Sequence, residues 1–418
     1  MKKKIMIAVA FVVVLTTLLS FSVAAAQPNM WFKTNPNKIG KYEYAFALVG
    51  DTQVLAAWDA GYPAAVGATY DETKRGHDYM KNLYKWIVDN KEEKKIEYVF
   101  GLGDITQNSG WGPTMLDPVK NPNEWNVAKE AIDQLNGVVP YSMVRGNHDH
   151  KGKFLQAFDT DVYKSQFEGY YNDVNNTYRT FYIGQEKYLF ITLDFAPTKE
   201  IIDWANGIVT QYPDHRVIVT THGYMNNNGT HLTRLDTTIT NGSSETGTTR
   251  CYNGDSIWEK FISKHENIFM IICGHIGCNA PQITQITGEK GNTVYQVLVN
   301  PQDYDAAVEP IGTVALLCFT EDGSTFYVQY YSTVKDMYYN LNPAYDPLTR
   351  ATVVYSEPRF TTTAATTTAV PTTAELTTVA TTTAADEGGC GGLVIGMFTA
   401  LPVIACTSAM TIRKRKKR

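Results

Sequence analysis

The chain has 418 residues, of which 44% are hydrophobic, 12% aromatic and 19% charged, with a net charge of −5. Without Lys2, Lys3 and Lys4 and the basic cluster Arg413 to Arg418, the remainder carries about −14. No basic stripe is present, which excludes nucleic acid or another polyanion as the main partner and leaves a folded, weakly acidic protein of two or three domains at most.

In chain order, the first segment is a basic leader, Met1-Lys2-Lys3-Lys4, followed by an apolar run from Ile5 to Leu19 and small residues at Ala24-Ala25-Ala26. This is the pattern of a signal peptide over 1–26, with a mature ectodomain from Gln27 to about residue 360. Tyr44 to Val49 reads as a strand, Tyr79 to Val88 as an amphipathic helix and Tyr98 to Leu102 as a second strand. A helix over Trp125 to Leu135, a strand over Tyr141 to Val144, a helix over Ile201 to Val209 and strands over Val217 to Thr220 and Ile268 to Cys273 continue the alternation. Past residue 290 the expectation changes to strands without helices, at Val294 to Val299, Val314 to Thr320 and Thr325 to Tyr330. Two packed sheets flanked by helices fit this mixture.

Beyond the ectodomain, residues 361–392 read as a stalk, because Thr361 to Asp386 is almost wholly Thr, Ala and Val and cannot assemble a core. Leu393 to Ile412 has the length and apolarity of a transmembrane anchor, and the tail 413–418 is basic, which keeps it cytoplasmic. The expected location is therefore secreted, membrane-anchored and extracellular, on a cell of bacterial type. Of six cysteines, Cys318 reads as a small buried strand residue. Cys251 and Cys278 are candidates for a disulfide in that compartment, although the spacing pairs none of them. The sequence carries no signal for an oligomeric state.

The chemistry lies in five short polar clusters, each directly after a predicted strand: Gly50-Asp51-Thr52-Gln53, Gly103-Asp104, Gly146-Asn147-His148-Asp149, Thr221-His222-Gly223 and Gly274-His275. One such cluster is commonly a turn or a helix cap. Five in order, all at the strand ends that gather on one edge of an α/β sheet, deliver Asp, Asn and His side chains to one point, as a metal-dependent hydrolytic site requires. His77, His215 and His265 stand in polar surroundings and are read as solvated, and Trp86, Trp204 and Trp258 as core residues at helical spacing. Trp111 and the polar loop from Asn226 to Asn253 are candidates for the rim of the substrate mouth.

This order of motifs resembles the calcineurin-like metallophosphoesterases from about Tyr44 to Tyr331, and within them a bacterial branch whose first motif reads Asp51-Thr52-Gln53, with Gly103 to Asn108 and Val297 to Gln302 also similar. The resemblance implies an α/β fold, a four-layered α/β/β/α sandwich, as the single catalytic domain, here with the stalk and C-terminal transmembrane helix added. It implies two divalent metal ions bridged by Asp104, one completed by Asn147, His222 and His275 and the other held by Asp51 and Gln53. His148 would stabilise or protonate the departing oxygen, oriented by Asp149. The expected reaction is hydrolysis of a small phosphomonoester or phosphodiester by a metal-activated water.

Two departures stand out. The family usually has His where this chain has Gln53, and a second His in the last motif where it has Gly277. Both belong to the ion at Asp51, so that half is depleted, and His150, Asn279 and Asp303 are the nearby candidates to fill it. An amide oxygen is a harder ligand than imidazole, which favours manganese over iron or zinc and admits magnesium or calcium. The alternative reading is a binding or adhesion ectodomain that keeps the fold with a weakened centre.

Overall fold

Strand β2 (Tyr42–Val49, after the short β1, Trp31–Phe32) shows why the strands here read as unbroken apolar runs rather than alternating ones. Ala45, Ala47 and Val49 point to one hydrophobic cluster, and Tyr44, Phe46 and Leu48 point to another. A strand buried on both faces must be apolar at every position.

The computed structural model describes residues 31–35, 41–61, 73, 76–107, 122–233, 252–307, 309–321, 325–339 and 352–354. The other strands are β3 (Ile96–Gly101), β4 (Tyr141–Ser142), β5 (Gly169–Tyr171), β6 (Asp173–Ile183), β7 (Glu186–Thr192), β8 (Arg216–Thr220), β9 (Ile268–Cys273) and β10 (Gln282–Thr287). They are followed by β11 (Thr293–Leu298), β12 (Thr313–Thr320), β13 (Thr325–Ser332), β14 (Met337–Tyr339) and β15 (Thr352–Val354). The first sheet runs β1-β14-β13-β12-β2-β3-β4, with β15 beside β13, and the second runs β10-β11-β9-β8-β7-β6-β5. β2, β3 and β4 are mutually parallel, as are β7, β8, β9 and β11, so the carboxyl ends of the strands within each set share one edge.

Three apolar clusters give the layering. Tyr44, Phe46, Tyr98 and Phe100 meet Tyr188, Phe190, Met270 and Val297 between the sheets. The outer face of the first sheet packs on helices α2 (Tyr79–Asn90) and α3 (Pro122–Ile132) through Leu83, Ile87, Trp125 and Ala128. That of the second packs on α6 (Lys199–Gln211) and α7 (Gly254–Lys260) through Ile201, Ala205, Ile208 and Ile257. The fold is mixed α/β with two sheets, in the expected order of helix, sheet, sheet and helix.

Several expectations are corrected. β5 to β7 occupy a stretch to which no element was assigned. In β6 Asn175 and Asn176 are both buried: the Asn175 amide bonds Asp173 at 3.0 Å, and Asn176 Oδ1 accepts the Asp194 backbone N–H at 2.9 Å. Helix α1 (Gln53–Ala60) begins inside the first motif, and α8 (Gln302–Ala307) interrupts the region expected to hold only strands. The short helices α4 (Lys151–Ala157) and α5 (Thr160–Tyr163) follow the third motif. His215 is buried, not solvated, with Nδ1 2.8 Å from Asp214. Cys278 carries a free thiol, buried against the Leu298 carbonyl and the Tyr330 hydroxyl, and Cys318 is a buried strand residue as expected.

The signal peptide 1–26, the stalk 361–392, the anchor 393–412, the tail 413–418, Trp111, Cys251 and residues 234–251 of the polar loop lie outside the described residues. Among the described residues no helix is long and apolar enough to cross a membrane.

Candidate metal centre

Six loops at the carboxyl ends of β2, β3, β4, β8, β9 and β11 meet along the shared edge, as the sequence pattern requires. Backbone bonds lace them together in pairs: Leu102 N–H to Val49 O at 2.8 Å, Asp51 N–H to Gly103 O at 3.0 Å and Gln53 N–H to Asp104 O at 2.9 Å. In the second sheet, Gly274 N–H donates to His222 O at 2.9 Å and Val299 N–H to Cys273 O at 3.0 Å. Side chains join the two sets, among them His222, whose Nδ1 donates to the Leu102 carbonyl at 2.8 Å.

Asp51, Asp104 and His275 adopt left-handed backbone conformations, with φ of 56°, 48° and 73°. Such conformations cost free energy in non-glycine residues and gather at functional sites, where surrounding structure enforces them. The loops also approach too closely for side chains on the flanking residues: a Cβ on Gly146 would lie 2.0 Å from Asp104 Oδ1, and one on Gly274 would lie 2.3 Å from Asp51 Oδ2.

Asp104, His222 and His275 converge, each offering a ligand atom within 4.8 Å of the others. His222 is fully buried, and its Nε2 lies 3.3 Å from Asp104 Oδ2 and 3.1 Å from Asn147 Oδ1. Because Nδ1 gives its proton to Leu102, Nε2 faces these oxygens as the nitrogen that would carry a lone pair to a metal, the usual way an outer partner fixes a ligating histidine. Asp51 accepts the His275 backbone N–H at 3.1 Å and the Asn300 side-chain amide at 2.8 Å. Gln53 is buried, its Nε2 is 3.3 Å from Asp104 Oδ2, and its Oε1 is buried without a hydrogen-bond partner. An orphaned buried acceptor is expensive unless something positive satisfies it. Together with the mixed carboxylate and imidazole donors, it makes the residues a good fit to divalent metal.

The site's ionisation is that of clustered charge out of water. Burial pushes the Asp51 carboxyl well above its usual range despite the nearby His222. For Asp104 burial acts in the same sense, but the positive charges of His222 and His148 outweigh it and hold the carboxyl below the usual range. Burial alone would lower His222, yet Asp104 and then Asp51 lift it to about 9. The sign of a pH effect follows. The His222 proton stabilises the metal-free fold fully below the unfolded value of 6.5, and that contribution is lost as pH rises through about 9. A metal must displace this proton, so between these limits binding is expected to tighten with pH and release protons. Calorimetric metal titrations in buffers of different ionisation enthalpy measure the release, and none at pH 7.5 would contradict this account.

Of the two expected catalytic groups, His148 sits at the rim, its backbone N–H on Asp104 Oδ1 at 2.9 Å and its Nδ1 3.1 Å from the Gln107 carbonyl. The Asp149 carboxylate accepts backbone N–H groups from Gly146 at 2.8 Å, Ile105 at 3.0 Å and Thr106 at 2.9 Å, and so ties the second motif to the third. Burial and the neighbouring Asp104 push Asp149 up to about 6. Asn300 and Gln302 were not among the predicted site residues, although they lie in a stretch whose likeness to the family branch was visible. Nothing in residue type alone separates an amide on a carboxylate from an amide in a turn.

A family model for calcineurin-like phosphoesterases matches residues 44–279. The chain belongs to this family. Members of this family are phosphoesterases that typically bind two divalent metals. The uncharacterized protein YvnB of Bacillus subtilis (strain 168) is 25% identical over 311 residues, which make up 71% of this chain and 20% of that protein. The chain therefore spans about a fifth of that relative's length. Among solved structures, GAP50, the anchor in the inner membrane complex of Plasmodium, is similar at 12% identity and a TM-score of 0.36 over 76% of this chain and 90% of that one. A 5'-nucleotidase precursor from Thermus thermophilus is similar at 11% identity and a TM-score of 0.35, over 70% of this chain and 52% of that one.

Proposed function

We propose that the chain is an extracellular, membrane-tethered hydrolase that cleaves a phosphomonoester or phosphodiester at a pair of divalent ions, manganese favoured. The observation that carries this reading is the convergence of Asp104, His222 and His275. In it Asp104 would serve both ions, Asn147, His222 and His275 would complete one of them, and Asp51 and Gln53 would hold the other. Bound ions supply the positive charge that clamps a phosphate and lowers the pKa of a water. The chain's own side chains do the rest. His148, on the rim beside Asp104, stabilises or protonates the departing oxygen. Asp149 keeps the loops that carry Asp104 and His148 in register. The net negative charge of the chain suits a small ester whose phosphate is met by metal rather than by a basic surface. The leader 1–26, the stalk 361–392 and the apolar run 393–412 with its basic tail support the tethered, extracellular location.

The test uses the full chain, stripped of metal and then reloaded with manganese, magnesium, calcium, zinc or iron singly. Bound ions per chain are measured beside hydrolysis of a nitrophenyl phosphate monoester and diester. Two ions with metal-dependent turnover are expected, and the two rates rank monoesterase against diesterase. One ion or none, with no turnover under any metal, would overturn the proposal in favour of a binding ectodomain.

A further inference from the structure

Resting on the two-ion reading, we propose that Asp303, with the side-chain amides of Gln302 and Gln53, completes the half of the metal centre at Asp51 that lacks histidine. The decisive contact is at Gly277. A Cβ there would lie 2.1 Å from Asp303 Oδ2, 2.7 Å from Cγ and 3.0 Å from Oδ1. The carboxylate therefore fills the space where a side chain on residue 277 would begin, and one or the other would have to shift. His150, Asn279 and Asp303 are all exposed, and of the three it is Asp303 that the space at Gly277 meets.

The segment that carries Asp303 is fastened to the metal loops residue by residue. Cys278 N–H donates to Asn300 O at 2.7 Å, and Asn300 N–H reaches Cys278 Sγ at 3.3 Å. The fully buried Asn300 side chain donates to Asp51 Oδ1 at 2.8 Å, while its own Oδ1 accepts Gln302 N–H at 3.0 Å and so starts α8. Gln302 Oε1 then accepts from Gln53 Nε2. Independently of Asp303, Gln53 Oε1 is a fully buried acceptor without a partner at the same place. Burial of an unsatisfied amide oxygen beside Asp51 and Asp104 makes sense if a cation satisfies it. The donors on this side are then all oxygen, the carboxylates of Asp51, Asp303 and the shared Asp104 and two amides, whereas His222 and His275 serve the other. An all-oxygen half selects a hard ion such as manganese, magnesium or calcium, and Gly277 is the mark of that choice in the sequence.

The experiment loads the metal-free full chain with Mn2+ alone and follows binding by calorimetry and by elemental analysis after dialysis. The unaltered chain should take two ions. Asp303→Asn should keep one at unchanged affinity and bind the other at least about 10-fold more weakly, a typical loss for a removed metal contact. In the double variant Asp303→Gly with Gly277→His the second ion should return, with preference moved toward Zn2+. Two ions at unaltered affinity in Asp303→Asn would overturn this assignment and leave the hydrolase reading intact. One ion or none in the unaltered chain would instead overturn the two-ion reading itself. Loss of both ions in Asp303→Asn with a native circular dichroism spectrum would also overturn the assignment, since the effect would not be confined to one half.

Discussion

His222→Ala is expected to abolish hydrolysis and to weaken metal binding by at least about 100-fold, because removing even an outer partner of a metal ligand commonly costs 10–100-fold. The side chain is fully buried, spans from the Leu102 carbonyl to Asp104 and Asn147, and is one of three converging ligands. The fold should survive. The substitution leaves the Leu102 carbonyl short of a donor, a cost of about 1–3 kcal/mol, while the apolar clusters on both faces of each sheet are untouched. Elemental analysis and nitrophenyl phosphate turnover on the same sample, beside a thermal melt, separate loss of metal from loss of fold. A variant that still bound ions and turned over at the unaltered rate would remove His222 from the centre.

His148→Ala is expected to do the opposite to metal and much the same to activity. Ion content should stay near that of the unaltered chain, since alanine keeps the His148 backbone N–H that bonds to Asp104 at 2.9 Å. Turnover should fall about 10²–10⁴-fold, the range for a lost general acid, and in kcat more than in KM. With Nδ1 held by the Gln107 carbonyl at 3.1 Å, the nitrogen that would serve a departing oxygen is Nε2. The leaving group gives a sharper readout. Nitrophenolate departs with little help, so the loss should be smaller for it than for an alkyl phosphate whose alkoxide must be protonated. Equal activity would sink the role, and equal losses on both substrates would make His148 a source of charge rather than of a proton.

Asp149→Asn separates the two parts assigned to the third motif. Its carboxylate takes backbone N–H groups from Gly146, Ile105 and Thr106. An amide presents one acceptor and one donor where two acceptors are needed, so the variant should lower the melting temperature as well as the rate, whereas His148→Ala should change the rate alone.

The strands that deliver the metal ligands were legible because they are buried on both faces, and a run such as Phe46 to Val49 ending in Gly-Asp has few other readings. Helices α2 and α6 were legible from their 3.6-residue spacing, as in Met80, Leu83, Tyr84 and Ile87. β6 was not, because its buried asparagines are satisfied by Asp173 and by the Asp194 backbone, distant in sequence in the second case. α1 was missed for the converse reason. Gln53, Val54, Leu55, Ala56, Ala57 and Trp58 are all buried, so no polar face marks the helix.

The sequence by itself determined the family. The types and order of Asp51, Asp104, Asn147, His148, His222 and His275, each at the end of a strand, resemble the calcineurin-like phosphoesterases, whose family model matches residues 44–279, because a recurring strand-then-ligand pattern is a local property. Tertiary structure decided the partners. That Leu102 fixes the His222 ring, that Asp149 staples loops of the second and third motifs, and that Asp303 lies against Gly277 depend on contacts across 120, 44 and 26 residues of chain. No local pattern encodes such distances. They arise when two sheets pack face to face and bring loops remote in sequence to one edge.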